Sequence, residues 1–215
     1  MRVAAVLLGA LVLAVPAGAT NARDPQQRHT AADMRLAATI ALKQADFSPG
    51  WRPDKSSSAG NDAPCKSQPD ESALVQTALV DRSFTYRDGV TSIGSEVDVF
   101  GSAREARLDW KLSTLSAMKD CIASALQTVG KTRVTVSSFT RLPISKLSER
   151  TLYYRVKLVV HAAQPVTIVA DLIAIGKGRV TTVLHTFSVA MPLPLRDTMI
   201  FSNILAGRLN AGHTI

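Results

Sequence analysis

Aromatic side chains are scarce in this sequence of 215 residues, where Phe, Tyr and Trp together make up 5% of the chain. The basic residues are not interleaved with the few aromatic ones. Proteins that hold single-stranded nucleic acid combine cations with aromatic platforms on which the bases stack. The composition therefore argues against nucleic acid as a partner.

Motifs of well-known enzyme classes are also missing, because the chain contains no G-x-S-x-G, H-E-x-x-H, P-loop or G-x-G-x-x-G sequence. Its four histidines, at positions 29, 161, 185 and 213, are widely scattered. We expect no catalytic centre, no metal and no cofactor. A hydrolase whose site combines His161 or His185 with a serine is kept as the weakest alternative.

Long apolar runs are absent, since the longest covers 13 residues, 3–15, and a membrane-spanning helix needs about 20. Arg2 precedes this run, and small residues follow it at Ala17-Gly18-Ala19 or Thr20-Asn21-Ala22. That order is typical of a secretory signal peptide, which we predict over residues 1–22. No cysteine near the cleavage site offers a thiol for lipid attachment. We expect a secreted or cell-envelope protein whose mature chain has no transmembrane segment.

Only two cysteines occur, Cys65 and Cys121. An even number in an oxidising compartment predicts a disulfide bond between them. Closing so long a loop would stabilise the fold by about 4 kcal/mol in the chain-entropy model. A metal site would need more ligands, and a redox site is usually C-x-x-C.

Positive charge is concentrated in one region of a chain whose formal net charge is +8. Residues 131–179 contain nine lysines and arginines but only Glu149 and Asp171 as acids. Such asymmetry favours anionic partners, among them phospholipid surfaces, acidic wall polymers and acidic ligands. A solvated basic face that aids solubility is the alternative.

Apolar periodicity predicts one α+β domain over residues 30–213, preceded by a disordered segment at 23–29 and carrying a long polar loop at 52–71. The expected order is α-ββ-α-ββββ-α, with helices at 31–44, 102–128 and 195–209 and strands at 83–87, 90–100, 132–141, 151–162, 166–175 and 180–189. Tight hairpins predict a mainly antiparallel sheet of about six strands. The long central helix and the C-terminal helix are expected to cover one face of it.

Asp171 interrupts the apolar strand VTIVADLIAI and needs a partner, because a lone buried charge is costly. A turn of two or four residues at Gln164-Pro165 would place it opposite Val156, and a turn of three opposite Lys157. Arg155 is the next candidate partner. One explanation is a structural ion pair. The other is a ligand-binding cleft on the uncovered sheet face, and the residues that would line it are Tyr153, Arg155, Lys157 and Asp171.

Several short motifs occur in a characteristic order. Asp46-Phe-Ser-Pro-Gly-Trp51 follows the first predicted helix, and Val97-Asp-Val-Phe100-Gly-Ser-Ala103 ends a strand. Cys121 lies on the next helix, and Val169-Ala-Asp-Leu172 and Gly178-Arg179 follow in the last strands. This order resembles the PknH-type extracellular sensor domain family of actinobacterial secreted proteins and kinases. The resemblance implies an antiparallel sheet with packed helices and a cleft for an unidentified ligand, and it supplies no catalytic residues. The chain departs from fuller members in its single cysteine pair and in having no attached kinase.

These features together predict an exported, non-enzymatic, sensor-like binding module that holds a small or anionic ligand in a cleft on the sheet. The main alternative is an envelope-associated interaction protein that binds acidic polymers or a protein partner through its basic region at 131–179.

Overall fold

The computed structural model describes residues 22–54, 69–113 and 133–212. The predicted signal peptide (except residue 22), Cys65, Cys121 and the second half of the predicted central helix lie outside these ranges. The elements in chain order are β1 (Gln26–Gln27), α1 (Ala31–Ile40), a 3-10 turn (Gln44–Asp46), β2 (Trp51–Pro53), β3 (Val75–Tyr86), β4 (Thr91–Phe100), α2 (Ala103–Ser113), β5 (Arg133–Arg141), β6 (Arg150–His161), β7 (Val166–Lys177), β8 (Val180–Val189) and α3 (Leu195–Ala211).

The α+β class and the antiparallel pairing agree with the sequence prediction. The described strands form one sheet in the order β1-β3-β4-β8-β7-β6-β5, and β2 also pairs with β3. Each neighbouring pair among the six long strands is antiparallel. The sheet has eight strands rather than about six, because the short strands β1 and β2 add to β3.

The N-terminal segment at 23–29 differs from its predicted disorder. Its strand β1 runs parallel to β3, and the Gln26 amide donates to the carbonyl of Leu74 at 2.8 Å. The Arg28 amide donates to Gln76 at the same distance. The sequence did not predict this strand, because its two residues are both polar and two residues are too few to show an apolar pattern.

Helix α1 begins where its capping residue predicts. The Thr30 hydroxyl accepts a hydrogen bond from the Asp33 amide at 3.1 Å, so the first turn has a side-chain cap. The helix ends at Ile40, earlier than the predicted 44, and the 3-10 turn follows it.

The two hairpins at glycine occur where the sequence predicts them. The β3–β4 turn is closed by the Gly89 amide, which donates to the Tyr86 carbonyl at 2.8 Å. Gly89 has φ +71°, whereas Asp88 has no positive φ, so the turn is not of type I′, which needs a positive φ at both central residues. The β7–β8 turn has only Gly178 and Arg179 between the paired residues Lys177 and Val180, and Gly178 supplies the positive φ.

The helices divide differently between the two faces of the sheet than the sequence predicts. Helices α1 and α3 pack together over one face, which we call the helix-pair face, and α2 lies on the opposite one, the α2 face. Alternation along β4 explains the division: Ile93, Val97 and Val99 point into the main core, whereas Phe100 packs against Ala106 of α2. The main core contains Ala37, Ile40, Ala41, Leu42, Ala78, Phe84, Ile93, Val97, Val99, Tyr153, Ile173, Ile175, Val180, Leu184, Phe201, Leu205, Ala206 and Leu209.

The α2 face itself has an apolar half and a polar half. A second buried group of apolar side chains lies on β5, β6 and β7, and consists of Val134, Val156, Leu158, Val160, Ile168 and Ala170. The same face of β3 and β4 carries carboxylates instead. Among the described helices, none is both long and apolar enough to span a membrane.

Candidate functional site

Asp171 lies directly opposite Arg155, and not opposite Val156 or Lys157. The reason is the length of the β6–β7 turn, which spans the five residues between the paired Val160 and Val166. The Arg155 guanidinium donates two hydrogen bonds to the Asp171 carboxylate, from Nε to Oδ1 at 2.7 Å and from Nη2 to Oδ2 at 2.9 Å. Arg155 Nη2 also donates to the Tyr153 hydroxyl at 2.8 Å.

These three residues form one hydrogen-bonded group. Asp171 and Tyr153 are only 1% and 2% exposed. Burial and the neighbouring Asp171 carboxylate raise the pKa of Tyr153 to about 12, so the phenol stays neutral. Tyr153 belongs to the core under α1 and α3. Lys157 lies opposite Val169 and is exposed, and no described hydrogen bond joins its side chain to the group.

Four of the eight described lysines and arginines of the basic region, Arg150 among them, are engaged in structural contacts. Besides Arg155, Arg179 holds the Asp33 carboxylate through two bonds, of which Nη1 to Oδ2 measures 2.9 Å. Lys177 donates to the Asn210 carbonyl of α3 at 3.1 Å. The exposed cations of the region within the described residues are Arg133, Arg141, Lys146 and Lys157.

A different set of charged residues stands out on the α2 face. Asp81 of β3 pairs directly with Glu96 of β4, and Asp98 lies two residues along the same face of β4. Asp109 of α2 lies close enough to raise the pKa of both β4 carboxyls by repulsion. We call these four residues, Asp81, Glu96, Asp98 and Asp109, the acidic patch.

The carboxyl groups of Glu96 and Asp98 act directly on each other. They share a hydrogen bond, and Gln76 Nε2 donates to Asp98 Oδ1 at 2.6 Å. Burial, with repulsion from Asp81 and Asp109, raises the pKa of Glu96 to about 7. Burial and the Glu96 charge raise the pKa of Asp98 well above its usual range. Burial alone raises the pKa of Asp109 to about 6, against the opposing effect of Ser113 and Arg150. The patch therefore retains protons near neutral pH.

Two polar atoms beside the acidic patch lack a hydrogen-bond partner among the described residues. Thr181 lies directly opposite Asp98 on the same face and is only 5% exposed, yet its Oγ1 is buried without a partner. The Nε of Arg150 is likewise buried and unbonded. The rest of the Arg150 guanidinium is engaged, because Nη2 donates to the carbonyls of Gly178 and Val180 at 3.2 and 3.3 Å.

The two histidines proposed for a hydrolase lie apart. His185 approaches Ser83 at 3.5 Å between Nε2 and Oγ, across the closely spaced Gly94. Burial lowers the pKa of His185 to about 4, which makes its ring a poor base near neutral pH. No carboxylate orients this ring among the described hydrogen bonds. His161 lies at the far side of the sheet, where Nε2 meets the Thr135 hydroxyl at 3.0 Å.

The acidic patch could have been found from one signal in the sequence. Glu96 and Asp98 are two residues apart in a strand whose intervening positions are apolar, so both must share one face. Asp81 joins them only through the β3–β4 register, and Asp109 only through the placement of α2. Those two relations depend on tertiary structure.

Comparisons with known proteins give a single kind of match. No protein-family model matches the chain, and no curated protein matches it. Among solved structures, the chain is similar to the extracellular domain of PknH from Mycobacterium tuberculosis, with a TM-score of 0.48 and 11% sequence identity. That alignment covers 86% of this chain and 98% of the other.

Proposed function

We propose that this protein is an exported, non-enzymatic binding module of the sensor type, and that a small ligand binds at its acidic patch. Export is supported by the signal-like order of charge, apolar run and small residues at 1–22. The non-enzymatic character is supported by the missing motifs and by the poorly basic His185. The site takes the place of the one expected around Asp171.

A difference between the two faces of the sheet supports the acidic patch as the binding site: described carboxylates on one face are paired with arginines, and those on the other face are not. On the helix-pair face, Asp33, Asp46 and Asp171 each receive two hydrogen bonds from one arginine. None of the four described ion pairs involves a member of the acidic patch. Ionisable groups with strongly shifted pKa values that gather on one surface are typical of functional sites.

The observation that carries the proposal is the Thr181 hydroxyl, which is buried and has no hydrogen-bond partner in the part of the chain that the structure describes. A buried hydroxyl without a partner costs about 1 to 3 kcal/mol, and such groups are rare in folded proteins. This one lies beside Asp98, at the edge of a patch that opens to solvent at Asp81. A bound ligand that hydrogen-bonds to Oγ1 would remove the cost.

Two neighbouring threonines provide a matched test. Thr181→Val removes the unbonded hydroxyl, whereas Thr182→Val removes a hydroxyl on the opposite face that donates to the Glu96 carbonyl at 3.0 Å. We expect Thr181→Val to leave the free energy of unfolding unchanged or raise it, and Thr182→Val to lower it by about 1 kcal/mol.

Binding is measured by amide chemical shifts of the ¹⁵N-labelled mature protein against a library of small cationic, neutral and anionic compounds. We expect at least one compound to shift amides of residues 95–99 and 181, with the effect lost in Thr181→Val and kept in Thr182→Val. Shifts confined to other surfaces, or no saturable shift with any compound, would overturn the proposal.

The exposed cations near the sheet edge favour a second candidate function, attachment to acidic envelope polymers. Arg133 and Lys157 both lie on the helix-pair face of β5 and β6, and within the described residues β5 pairs only with β6. Retention on envelope preparations should then fall steeply with salt and be lost in the double variant Arg133→Glu/Lys157→Glu. Retention that is unaffected by salt would contradict this candidate.

A further inference from the structure

We infer that the ligand of the acidic patch is an organic cation, an ammonium or guanidinium group on a short hydrocarbon chain. The inference rests on the proposed function, because it names the ligand class for the same site.

Among the described residues, the charges that act on the patch are mostly negative. Besides its four members, Glu71 lies close enough for Asp109 to raise its pKa, and Asp24 acts on Glu71 in the same sense. The described cation that acts on Asp109 is Arg150, whose Nε lacks a described partner, and Arg107 acts in turn on Arg150. Arg150 also lies over the ring of Trp110 at 5.5 Å and within 3.8 Å of Glu149. An anion would meet repulsion here, and a cation would meet attraction.

The hydrogen-bonding groups of the patch select a donor-rich ligand. Once they are ionised, the carboxylates of the patch only accept hydrogen bonds, and the Gln76 amide already donates one hydrogen bond to Asp98. The Thr181 hydroxyl, which has no partner among the described residues, can add an acceptor next to them. An ammonium offers three donors and a guanidinium five, so either group can satisfy several of these oxygens at once.

A bare metal ion suits the patch less well. The described residues contain no group of three or more His, Cys, Asp or Glu side chains arranged to hold a metal. Asp81 and Glu96 are spread over two strands, and Asp109 approaches from α2. A larger cation that bonds to separate oxygens fits such a spread arrangement.

Apolar side chains lie next to the patch along the sheet. They provide a surface on which the hydrocarbon chain of the proposed ligand can lie. The row that begins with Asp81 and Glu96 continues through Val183 and Ala174 to Leu152. Val183 and Ala174 are only partly buried. A chain of a few methylene groups could cover these two residues while its cationic end remains at the carboxylates.

The test compares three ligands of one shape by titration calorimetry with the mature protein. n-Hexylammonium carries the cation, n-hexanol is its neutral counterpart and hexanoate is the anion. We expect n-hexylammonium to bind at least about tenfold more tightly than n-hexanol, and hexanoate not to bind. Its affinity should rise between pH 5.5 and 8, because the carboxyl groups lose protons over that range while the amine stays protonated.

Two aspartate variants provide the specificity control. Asp98→Asn removes one ionisable carboxyl group of the patch, whereas Asp88→Asn removes an exposed charge in the β3–β4 turn and keeps the oxygen that accepts from the Val90 amide. We expect Asp98→Asn to weaken n-hexylammonium binding about tenfold or more and Asp88→Asn to leave it unchanged. If Asp98→Asn fails to fold, Thr181→Val takes its place.

The outcomes separate this inference from the proposed function. Equal or tighter binding of n-hexanol or hexanoate at the patch would overturn the cationic class and leave the binding module standing. Binding of n-hexylammonium that both variants leave unchanged would overturn it as well. No binding by any compound of the library or of this series would overturn both proposals.

Discussion

A buried carboxylate is tolerated in the middle of β7 because one arginine satisfies it completely. Arg155 and Asp171 are cross-strand neighbours, and their two parallel hydrogen bonds match the planar guanidinium to the carboxylate. The Arg155 side chain is 23% exposed, so its own desolvation is modest. The pair therefore fills a polar position within the core without leaving an unbonded charge.

Replacing Asp171 by Asn is expected to destabilise the fold by about 2 to 4 kcal/mol, because Arg155 would keep its charge and lose its partner. Lys157→Gln is the control, since Lys157 is exposed on the same face of β6, and it should change the free energy of unfolding by less than about 0.5 kcal/mol. Urea denaturation at pH 7 measures both. A loss of ligand binding by a stably folded Asp171→Asn would show that the residue has a binding role after all.

At the scale of elements, arginines attach both helices of the helix-pair face to their surroundings. Arg179, in the β7–β8 turn, holds Asp33 in the first turn of α1. Arg208 of α3 holds Asp46 through bonds of 2.8 and 2.6 Å and also donates to the Ala41 carbonyl at 3.0 Å. The two contacts connect α1 and the 3-10 turn after it to the β7–β8 turn and to α3.

The Asp33 pair predicts a stability difference that depends on pH. Hydrogen bonds from Arg179 lower the pKa of Asp33 to about 2, so its contribution is present above the ordinary value near 3.8 and is lost as pH falls toward 2. Asp33→Asn should cost about 1 to 2 kcal/mol at pH 7, a value reduced for the partly exposed Arg179. Urea denaturation at pH 7, 4 and 3 should show the difference shrinking, with Arg35→Gln on the exposed side of α1 as control. A constant difference would contradict the ion pair as its cause.

The sequence predicts the long elements well except β3, which begins at Val75 rather than at the predicted residue 83. The agreement elsewhere arises because turn and capping residues act locally. Gly89, Gly178 and Thr30 mark their turns and helix start by backbone conformation or a single hydrogen bond. The face covered by each helix could not be derived, because α2 has its apolar residues on a broad surface that suits either side of the sheet. The predicted partner of Asp171 was wrong because the length of the turn before β7 could not be read from the sequence. The turn contains five residues, and none of them fixes its type.

At the scale of the whole molecule, the acidic patch sets how stability varies with pH. Burial raises the pKa values of five carboxyl groups, those of Glu71, Asp81, Glu96, Asp98 and Asp109, and repulsion from neighbouring carboxylates adds to the effect at Glu71, Glu96 and Asp98. The folded state thus binds more protons than the unfolded state, and stability is lost as pH rises through the folded values. His185 has the opposite effect, because its lowered pKa makes stability fall below about pH 6.5. The combined effect of the five carboxyl groups on the free energy of unfolding exceeds the effect of the single histidine.

We therefore expect the free energy of unfolding to be higher at pH 5 than at pH 7.5, by about 1 to 3 kcal/mol. Urea denaturation over this range measures it. The double variant Glu96→Gln/Asp98→Asn should show a much smaller slope, because it removes two of the titrating groups. Stability that rises steadily from pH 5 to 8 would contradict the prediction.

The acidic patch lacks a described ion pair although the chain as a whole has a net positive charge. A protein with formal charge +8 has many cations with which it could neutralise these carboxylates, and it does so for Asp33, Asp46 and Asp171. Holding Glu96 and Asp98 against each other is costly for the fold, as expected for a surface retained for binding.

The most direct test of this account is the titration of the Glu96 and Asp98 side-chain carboxyl carbons, followed by ¹³C NMR on the ligand-free protein. Glu96→Gln and Asp98→Asn assign the two signals. We expect the pair to keep a proton up to about pH 7, with Asp98 titrating far above its usual range. If both carboxyl groups titrate near pH 4, as exposed carboxylates do, the acidic patch is an ordinary solvated surface and the account is wrong.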